Sequence, residues 1–369
     1  MGRILLLICC VSFTVAWRPS NEIEGLGGVT DFESRISDNL QEDAQLDVGG
    51  LLKKYGYPFE HHHAITQDGY ILGLHRIPHG RDQNNTPGKR PAVLVMHGIL
   101  SSSADFVIMG PGTALAYILA EAGYDVWLGN ARGNYFSRQH LTLNPNDGKG
   151  SFWDFSWDQI GNLDLPAMID YILEQTGQTA LHYIGMSQGT TVFFVMGSLR
   201  PEYNKKIITM QALAPVAYLA HNKHSLFLAL APHRKAIETM FPVKLAHAPA
   251  GCALRQIVHY GQNIVEKTFQ RYDHGFLRNL LEYGTETPPN YDLSQLKAPV
   301  YLHYSQQDPF VQLEDMERLY RELGGPVTKV LVPDPTFSHV DFMWGVDAKD
   351  LVFDKAIDIM KSYDNYDNK

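Results

Sequence analysis

From Leu51 onward, apolar runs of strand length alternate with stretches of helix length, and this rhythm limits the folds open to the chain. Residues 92–96, 124–128, 181–184, 207–213, 300–304 and 329–332 read as buried strands. Residues 113–121, 164–174, 190–199, 314–323 and 349–361 read as helices between them. Such alternation implies a mostly parallel central sheet with helices on both faces, an α/β fold. Residues 64–65 and 70–75, joined by Gln67-Asp68-Gly69, read as an antiparallel hairpin leading into that sheet. The rhythm breaks over 217–290, where prolines stand at 232, 242 and 249 and no buried strand is evident. This segment reads as a helical cap over the C-terminal edge of the sheet, where open α/β folds bind ligands.

The ends are of a different character. Arg3, the apolar run from 4 to 15 and the small residues Thr14-Val15-Ala16 read as a signal peptide over 1–16. The run is shorter than the ~20 residues that cross a bilayer, and no other run reaches that length. Residues 17–48 read as an acidic leader or pro-segment: positions 18–48 hold eight acidic and two basic residues. Much of the formal charge of −9 therefore sits at the ends, and the body is nearly neutral. Nucleic-acid binding is excluded as a role, because it needs clustered Lys and Arg. Cys9 and Cys10 lie in the signal, which leaves Cys252 as the one cysteine of the mature chain and rules out a disulfide scaffold. Asn84-Asn85-Thr86 is an acceptor sequence for an N-linked glycan at Asn84.

Within this frame, Gly185-Met186-Ser187-Gln188-Gly189 matches G-x-S-x-G between a strand and a helix, the setting of a nucleophile elbow. The flanking glycines let strand and helix approach closely. A serine hydroxyl needs a histidine to take its proton and an acid to orient that histidine. In this arrangement the chain order is Ser, acid, His, each past the end of a strand. Asp308 follows strand 300–304, and His339 follows strand 329–332. Asp315 and Asp334 stand as substitutes for the acid. For the oxyanion, the backbone N–H of Gln188 is one donor. The N–H of Ile99, past Met96-His97-Gly98, is the other. His61-His62-His63 reads as surface histidines rather than a metal site, since neighbours in a strand point to opposite faces. His221, His224 and His233 lack partners at metal spacing. No metal or cofactor is expected.

With these residues in hand, the chain resembles the acid lipases, the gastric and lysosomal acid lipases and their relatives. The resemblance runs from about Leu51 to Met360. It is carried by Tyr55-Gly56-Tyr57-Pro58, Asp68-Gly69-Tyr70-Ile71-Leu72, His97-Gly98-Ile99-Leu100 and Asp125-Val126-Trp127-Leu128-Gly129-Asn130-Ala131-Arg132-Gly133-Asn134. Ser187-Gln188-Gly189-Thr190-Thr191 and His339-Val340-Asp341-Phe342-Met343-Trp344-Gly345 complete it. It implies an α/β-hydrolase core over 49–216 and 291–369, a cap over 217–290, and hydrolysis of triacylglycerols or sterol esters without a cofactor. It implies the same triad of Ser187, Asp308 and His339 and the same donors, Ile99 and Gln188. It also implies a neutral lipid partner at a lipid–water interface and a secreted or lysosomal protein.

The chain departs from the family at two points. Met186 stands where the family usually has a histidine. Between 218 and 247 only 28 residues (219–246) intervene, which makes the cap considerably shorter, and neither of the family's disulfide cysteines is present. Leu226, Phe227, Leu228 and Leu230 are the expected lining of an acyl site. The other roles such a scaffold supports are a lipid-binding protein without catalysis, a short-chain carboxylesterase and a peptidase.

Overall fold

The computed structural model describes residues 42–147, 151–222 and 251–364. Residues from Leu46 onward form one folded unit. The signal peptide and nearly all of the leader lie outside the described residues, as do Leu226, Phe227, Leu228, Leu230, His224 and His233.

Helix α1 (Val48–Lys54) opens the unit, with the Asp47 carboxylate accepting the Gly50 N–H as its N-cap. The hairpin β1 (Glu60–Ile65) and β2 (Tyr70–Ile77) follows, four residues longer at its start than the apolar pattern indicates. β1 opens with Glu60 and three histidines and so carries no apolar signal, but it alternates between the two faces as a half-exposed strand should. Then come β3 (Ala92–Met96), α2 (Leu115–Glu121), β4 (Asp125–Gly129) and the short β5 (Gln139–His140). Helix α3 (Leu165–Thr176) leads to β6 (Leu181–Met186), α4 (Gln188–Leu199) and β7 (Ile207–Leu213). The segment expected as a cap supplies α5 (Leu254–Glu266) and α6 (Phe276–Tyr283). The chain closes with β8 (Val300–Tyr304), α7 (Leu313–Glu322), β9 (Val327–Leu331) and α8 (Asp354–Asp364).

The strands stand in the order β1-β2-β4-β3-β6-β7-β8-β9, with β5 on the flank of β2. β1 and β2 are antiparallel, and every pair from β4 to β9 is parallel. The parallel centre is buried on both faces: every residue of β3, β4 and β6 is buried, which is why these strands read as continuous apolar runs. Two neighbours on β6 identify what covers each face. His182 reaches Asp364 at the end of α8, and Tyr183 packs on Phe193 of α4. Successive side chains on a strand point to opposite faces, so α4 and α8 lie on opposite sides of the sheet.

Register then brings the site together. Met96 is level with Gly185, Met186 with Leu213, and Leu213 with His303. The C-terminal ends of β3, β6, β7 and β8 are thus side by side, and the segments that leave them share one edge of the sheet.

Candidate active site

Ser187 sits where β6 turns directly into α4, with φ of 52° and ψ of −116°. A non-glycine residue rarely takes a positive φ, and strain of this kind collects at functional sites. The local sequence permits the turn. A Cβ on Gly185 would stand 2.6 Å from the Gly189 carbonyl oxygen, and one on Gly189 would stand 2.3 Å from that of Met96. Glycine at both positions lets the helix start come down onto the neighbouring strand end. The turn is pinned by the Ser187 N–H to Leu213 O (3.0 Å) and by the Thr190 hydroxyl donating to Ser187 O (2.6 Å).

His339 Nε2 lies 2.9 Å from Ser187 Oγ. On the other side of the ring, His339 Nδ1 lies 2.7 Å from Asp308 Oδ2. Asp308 is only 1% exposed, and its second oxygen accepts the Phe310 and Val311 N–H groups at 2.8 and 3.1 Å. One carboxylate oxygen is therefore committed to the backbone, which leaves the other aimed at the imidazole. Phe310 covers the ring from one side, with centroids 4.7 Å apart.

The two substitutes for Asp308 are engaged elsewhere. Asp315 takes the His221 N–H and the His221 ring at 2.9 and 2.8 Å. Asp334 closes a turn on Thr336.

The residues named as oxyanion donors lie next to this arrangement. Gln188 is the first residue of α4, where helix N–H groups have no intrahelical acceptor. Gly98 passes so close that a Cβ there would stand 3.3 Å from Ser187 Cβ, which brings the following residue, Ile99, beside the serine. Among the described residues, neither the Ile99 N–H nor the Gln188 N–H donates to another backbone group.

A contact with no signal in the sequence lies behind Gln188. Its side-chain amide donates to Gln256 Oε1 of α5 at 2.7 Å, and both residues are buried. Close by, Tyr260 of α5 reaches the Thr191 hydroxyl at 3.0 Å. Helix α5 is thus bonded to the start of the helix that follows the serine. Nothing in the sequence marks Gln256, since a single glutamine on an amphipathic helix reads as surface.

The remaining candidates lie outside this cluster. His62 pairs with Glu60 and Tyr171, while His61 and His63 stand together on the other face of β1, their rings 4.5 Å apart. Cys252 is buried, and burial pushes its thiol up to about 12, which makes it inert. Asn84 is exposed, with its amide donating to Glu121 O at 2.7 Å. Among the described residues, no group of three or more His, Cys, Asp or Glu could hold a metal ion.

The chain is 40% identical to Lipase 1 of Drosophila melanogaster, over 87% of this chain and 81% of that one. It is 34% identical to the gastric triacylglycerol lipase of Bos taurus, over 90% of this chain and 95% of that one. The chain belongs to the acid lipase family. Two family models match it: a partial alpha/beta-hydrolase lipase region over residues 48–110, and the alpha/beta hydrolase fold over 91–239. Among solved structures, a putative lipase from Acinetobacter baumannii aligns at a TM-score of 0.51 and 12% identity, covering 94% of this chain and 99% of that one. A hypothetical protein from Pseudomonas aeruginosa aligns at 0.54 and 12% identity, covering 83% and 94%. Identities this low show the fold alone. The alignment with Lipase 1 runs over 366 positions, more than the 87% of this acid lipase that it covers, so that relative carries residues this chain lacks.

Proposed function

We propose that this chain is a serine lipase that hydrolyses carboxylic esters of neutral lipids, triacylglycerols and sterol esters, through an acyl-enzyme on Ser187. One observation carries the reading: a continuous line of hydrogen bonds from Asp308 through His339 to a serine held in a strained elbow. Membership of the acid lipase family supports the substrate class.

In this reading the ester carbonyl lies between Ser187 and the N–H groups of Ile99 and Gln188. Ser187 Oγ attacks the carbonyl carbon as its proton passes to His339 Nε2. The oxyanion that forms is held by the two N–H groups, each worth ~3 kcal/mol. Asp308 keeps the ring oriented and stabilises the imidazolium. His339 then gives the proton to the departing alcohol, and the carbon–oxygen bond of the ester breaks. Water repeats the sequence on the acyl-enzyme: His339 takes its proton, the fatty acid leaves, and the proton returns to Ser187. No step needs a metal or a cofactor. The substrate enters from a lipid–water interface under a shortened cap over 217–290, with the hydrolase core over 49–216 and 291–369. Among the described residues no helix is long and apolar enough to cross a membrane. A signal peptide over 1–16 and a glycan at Asn84 fit a secreted or lysosomal protein.

The test is hydrolysis of long- and short-chain esters by the wild type and by Ser187→Ala. The reading expects activity in the first and none above background in the second. Equal turnover in both would overturn it, and activity confined to short acyl chains would make the chain an esterase.

A further inference from the structure

The segment after β3 has to hold Ile99 in one orientation, yet its own backbone resists the shape. Leu100 stands at φ of 61°, a left-handed conformation that a branched side chain rarely adopts. Something outside the segment holds it, and both of its ends are bonded to the segment that follows β4.

At the far end, the Ser103 N–H donates to Asn130 Oδ1 at 3.0 Å, and Asn130 Nδ2 donates to Ser103 Oγ at 3.1 Å and to Gly73 O at 3.2 Å. At the near end, His97 Nε2 faces two nitrogens, the Ala131 N–H and Asn134 Nδ2, each at 3.1 Å. Asn134 Nδ2 also donates to Asn130 Oδ1 at 2.9 Å, and Asn134 Oδ1 accepts the Phe136 N–H at 3.0 Å. All four side chains are buried: His97 is 4% exposed, Asn134 2%, and Asn130 and Ser103 0%.

Backbone groups leave one consistent assignment of the hydrogens around His97. The Ser103 and Phe136 N–H groups can only donate, so the atoms they meet are the amide oxygens of Asn130 and Asn134. Gly73 O can only accept, so it meets the Asn130 amino group. His97 Nε2 is then the lone pair facing two donors, and the ring proton is on Nδ1. That proton points at Gly98 O, 2.7 Å away. Gly98 C=O and Ile99 N–H belong to one planar trans peptide, so fixing the oxygen fixes the N–H in the opposite direction.

We propose that Asn134 and Asn130 are positioning residues of the oxyanion site: they set the tautomer and place of His97, which holds the Gly98–Ile99 peptide with its N–H toward Ser187. The proposal rests on the lipase reading above. It assigns a role to the second and sixth residues of Gly129-Asn130-Ala131-Arg132-Gly133-Asn134, a stretch that touches neither the serine nor the imidazole. Arg132, between them, anchors the same stretch by bonding Asp164 and Asp68.

The test compares full-length wild type with Asn134→Ala and Asn134→Asp on a soluble p-nitrophenyl ester. A trifluoromethyl ketone that forms a tetrahedral adduct with an active serine serves as the second probe, and thermal denaturation checks folding. Asn134→Asp keeps the shape and the acceptor for Phe136 but turns an oxygen toward the His97 lone pair. Both variants are expected to lose about 10- to 100-fold in kcat, less than the ~10²- to 10³-fold of removing a donor outright, because the Ile99 N–H is misplaced rather than absent. KM should stay within about threefold, and ketone affinity should fall by the same factor as kcat, because only the tetrahedral state uses the Ile99 N–H. A folded variant with unchanged kcat, or with kcat reduced but ketone affinity intact, overturns the proposal. Should neither variant fold, Ser103→Ala is read in the same way at the far end of the segment, where a smaller loss with the same split is expected and no loss is contradictory. A wild type that neither hydrolyses the ester nor binds the ketone refutes the lipase reading instead.

Discussion

The surroundings of Ser187 and the described part of the cap, residues 251–290, are held in place by different physics. Around Ser187, each functional group follows a parallel strand, and backbone hydrogen bonds fix two of them: Ser187 N–H to Leu213 O, and Asp308 Oδ1 to two N–H groups. The cap is held by side chains. His259 of α5 stacks on Trp157 with ring centroids 3.5 Å apart and planes 3° from parallel. Arg271 forms a two-pronged pair with Asp158 at 2.9 and 3.0 Å, and Tyr291 adds a bond of 2.6 Å to the same carboxylate. Helix α6 packs little and leaves Phe276, Leu277 and Leu281 more than half exposed. Side-chain anchors can be gained or lost without moving a strand end. Residues 251–290 can therefore vary while Ser187, His339 and Asp308 keep their register.

The sharpest way to break this contrast is to remove the chemistry while leaving the packing. Ser187→Ala or His339→Ala should cut kcat by roughly 10⁴-fold or more. Asp308→Asn should cost about 10³- to 10⁴-fold, since the ring loses the group that selects its tautomer. Steady-state kinetics checks both, and circular dichroism and cap proteolysis should stay as in the wild type.

Acidification should act on the packing instead. Burial pushes His75, His259 and His303 down to about 3 and His97 down to about 4, which keeps them neutral in the folded chain. The unfolded chain takes up protons at these positions as the pH falls through ~6.5, and the folded chain does not. Stability that is complete above pH 6.5 is therefore lost progressively as the pH falls toward 3–4. At pH 5 the loss is about 2 kcal/mol for each such histidine, offset in part by Asp105 and Asp164, which burial pushes up to about 7 and about 6 and which therefore favour the folded chain as the pH falls. Thermal melts between pH 8 and 4.5 should show a steep fall in Tm below pH 6.5. A maximum near pH 5 would contradict this and favour a lysosomal setting over a secreted one at neutral pH.

Smaller changes separate the two regions further. Arg271→Ala leaves the buried Asp158 carboxylate with Tyr291 as its remaining side-chain partner, which should cost about 2–3 kcal/mol after allowance for the partial exposure of the arginine. Denaturant melts measure that loss, and labelling of Ser187 by an organophosphonate should persist in the folded fraction. The smallest effect is expected for Gln256→Ala, which removes the one described side-chain bond from the cap to Gln188. About a two- to fivefold fall in kcat should result, the scale of one neutral hydrogen bond. An effect as large as that of Asp308→Asn would mean that the cap shapes the site more than the contrast allows.

The same division explains what the sequence made legible. The central parallel strands stood out because both faces are buried, and the observed bounds of the parallel strands lie within about two residues of the apolar runs, in keeping with the usual scatter of element ends. β9 was expected to be buried too, but it is an edge strand with no buried residue. Ser187, Asp308 and His339 were legible because each lies just past a strand in a fixed chain order. The start of β1 was hidden because Glu60 and His61 to His63 are polar and half-exposed. α4 begins two residues before the stretch that reads as helical, since the elbow serine passes directly into it. Gln256, Asn130 and Asn134 were hidden for another reason. Partners of each, Gln188, Ser103 and His97, lie far away in the sequence, and no local period or spacing records a bond between distant segments.

The central claim is that Ser187, activated by His339 and Asp308, is the nucleophile of a lipase. The most direct measurement is titration of the full-length protein with a fluorophosphonate, with ester hydrolysis followed in parallel and the adduct mapped by mass spectrometry. The account predicts one adduct per chain, on Ser187, with activity lost in proportion, and no adduct on His339→Ala at the same concentration. Hydrolysis that survives complete modification of Ser187, or an adduct on another residue that tracks the loss of activity, would contradict it.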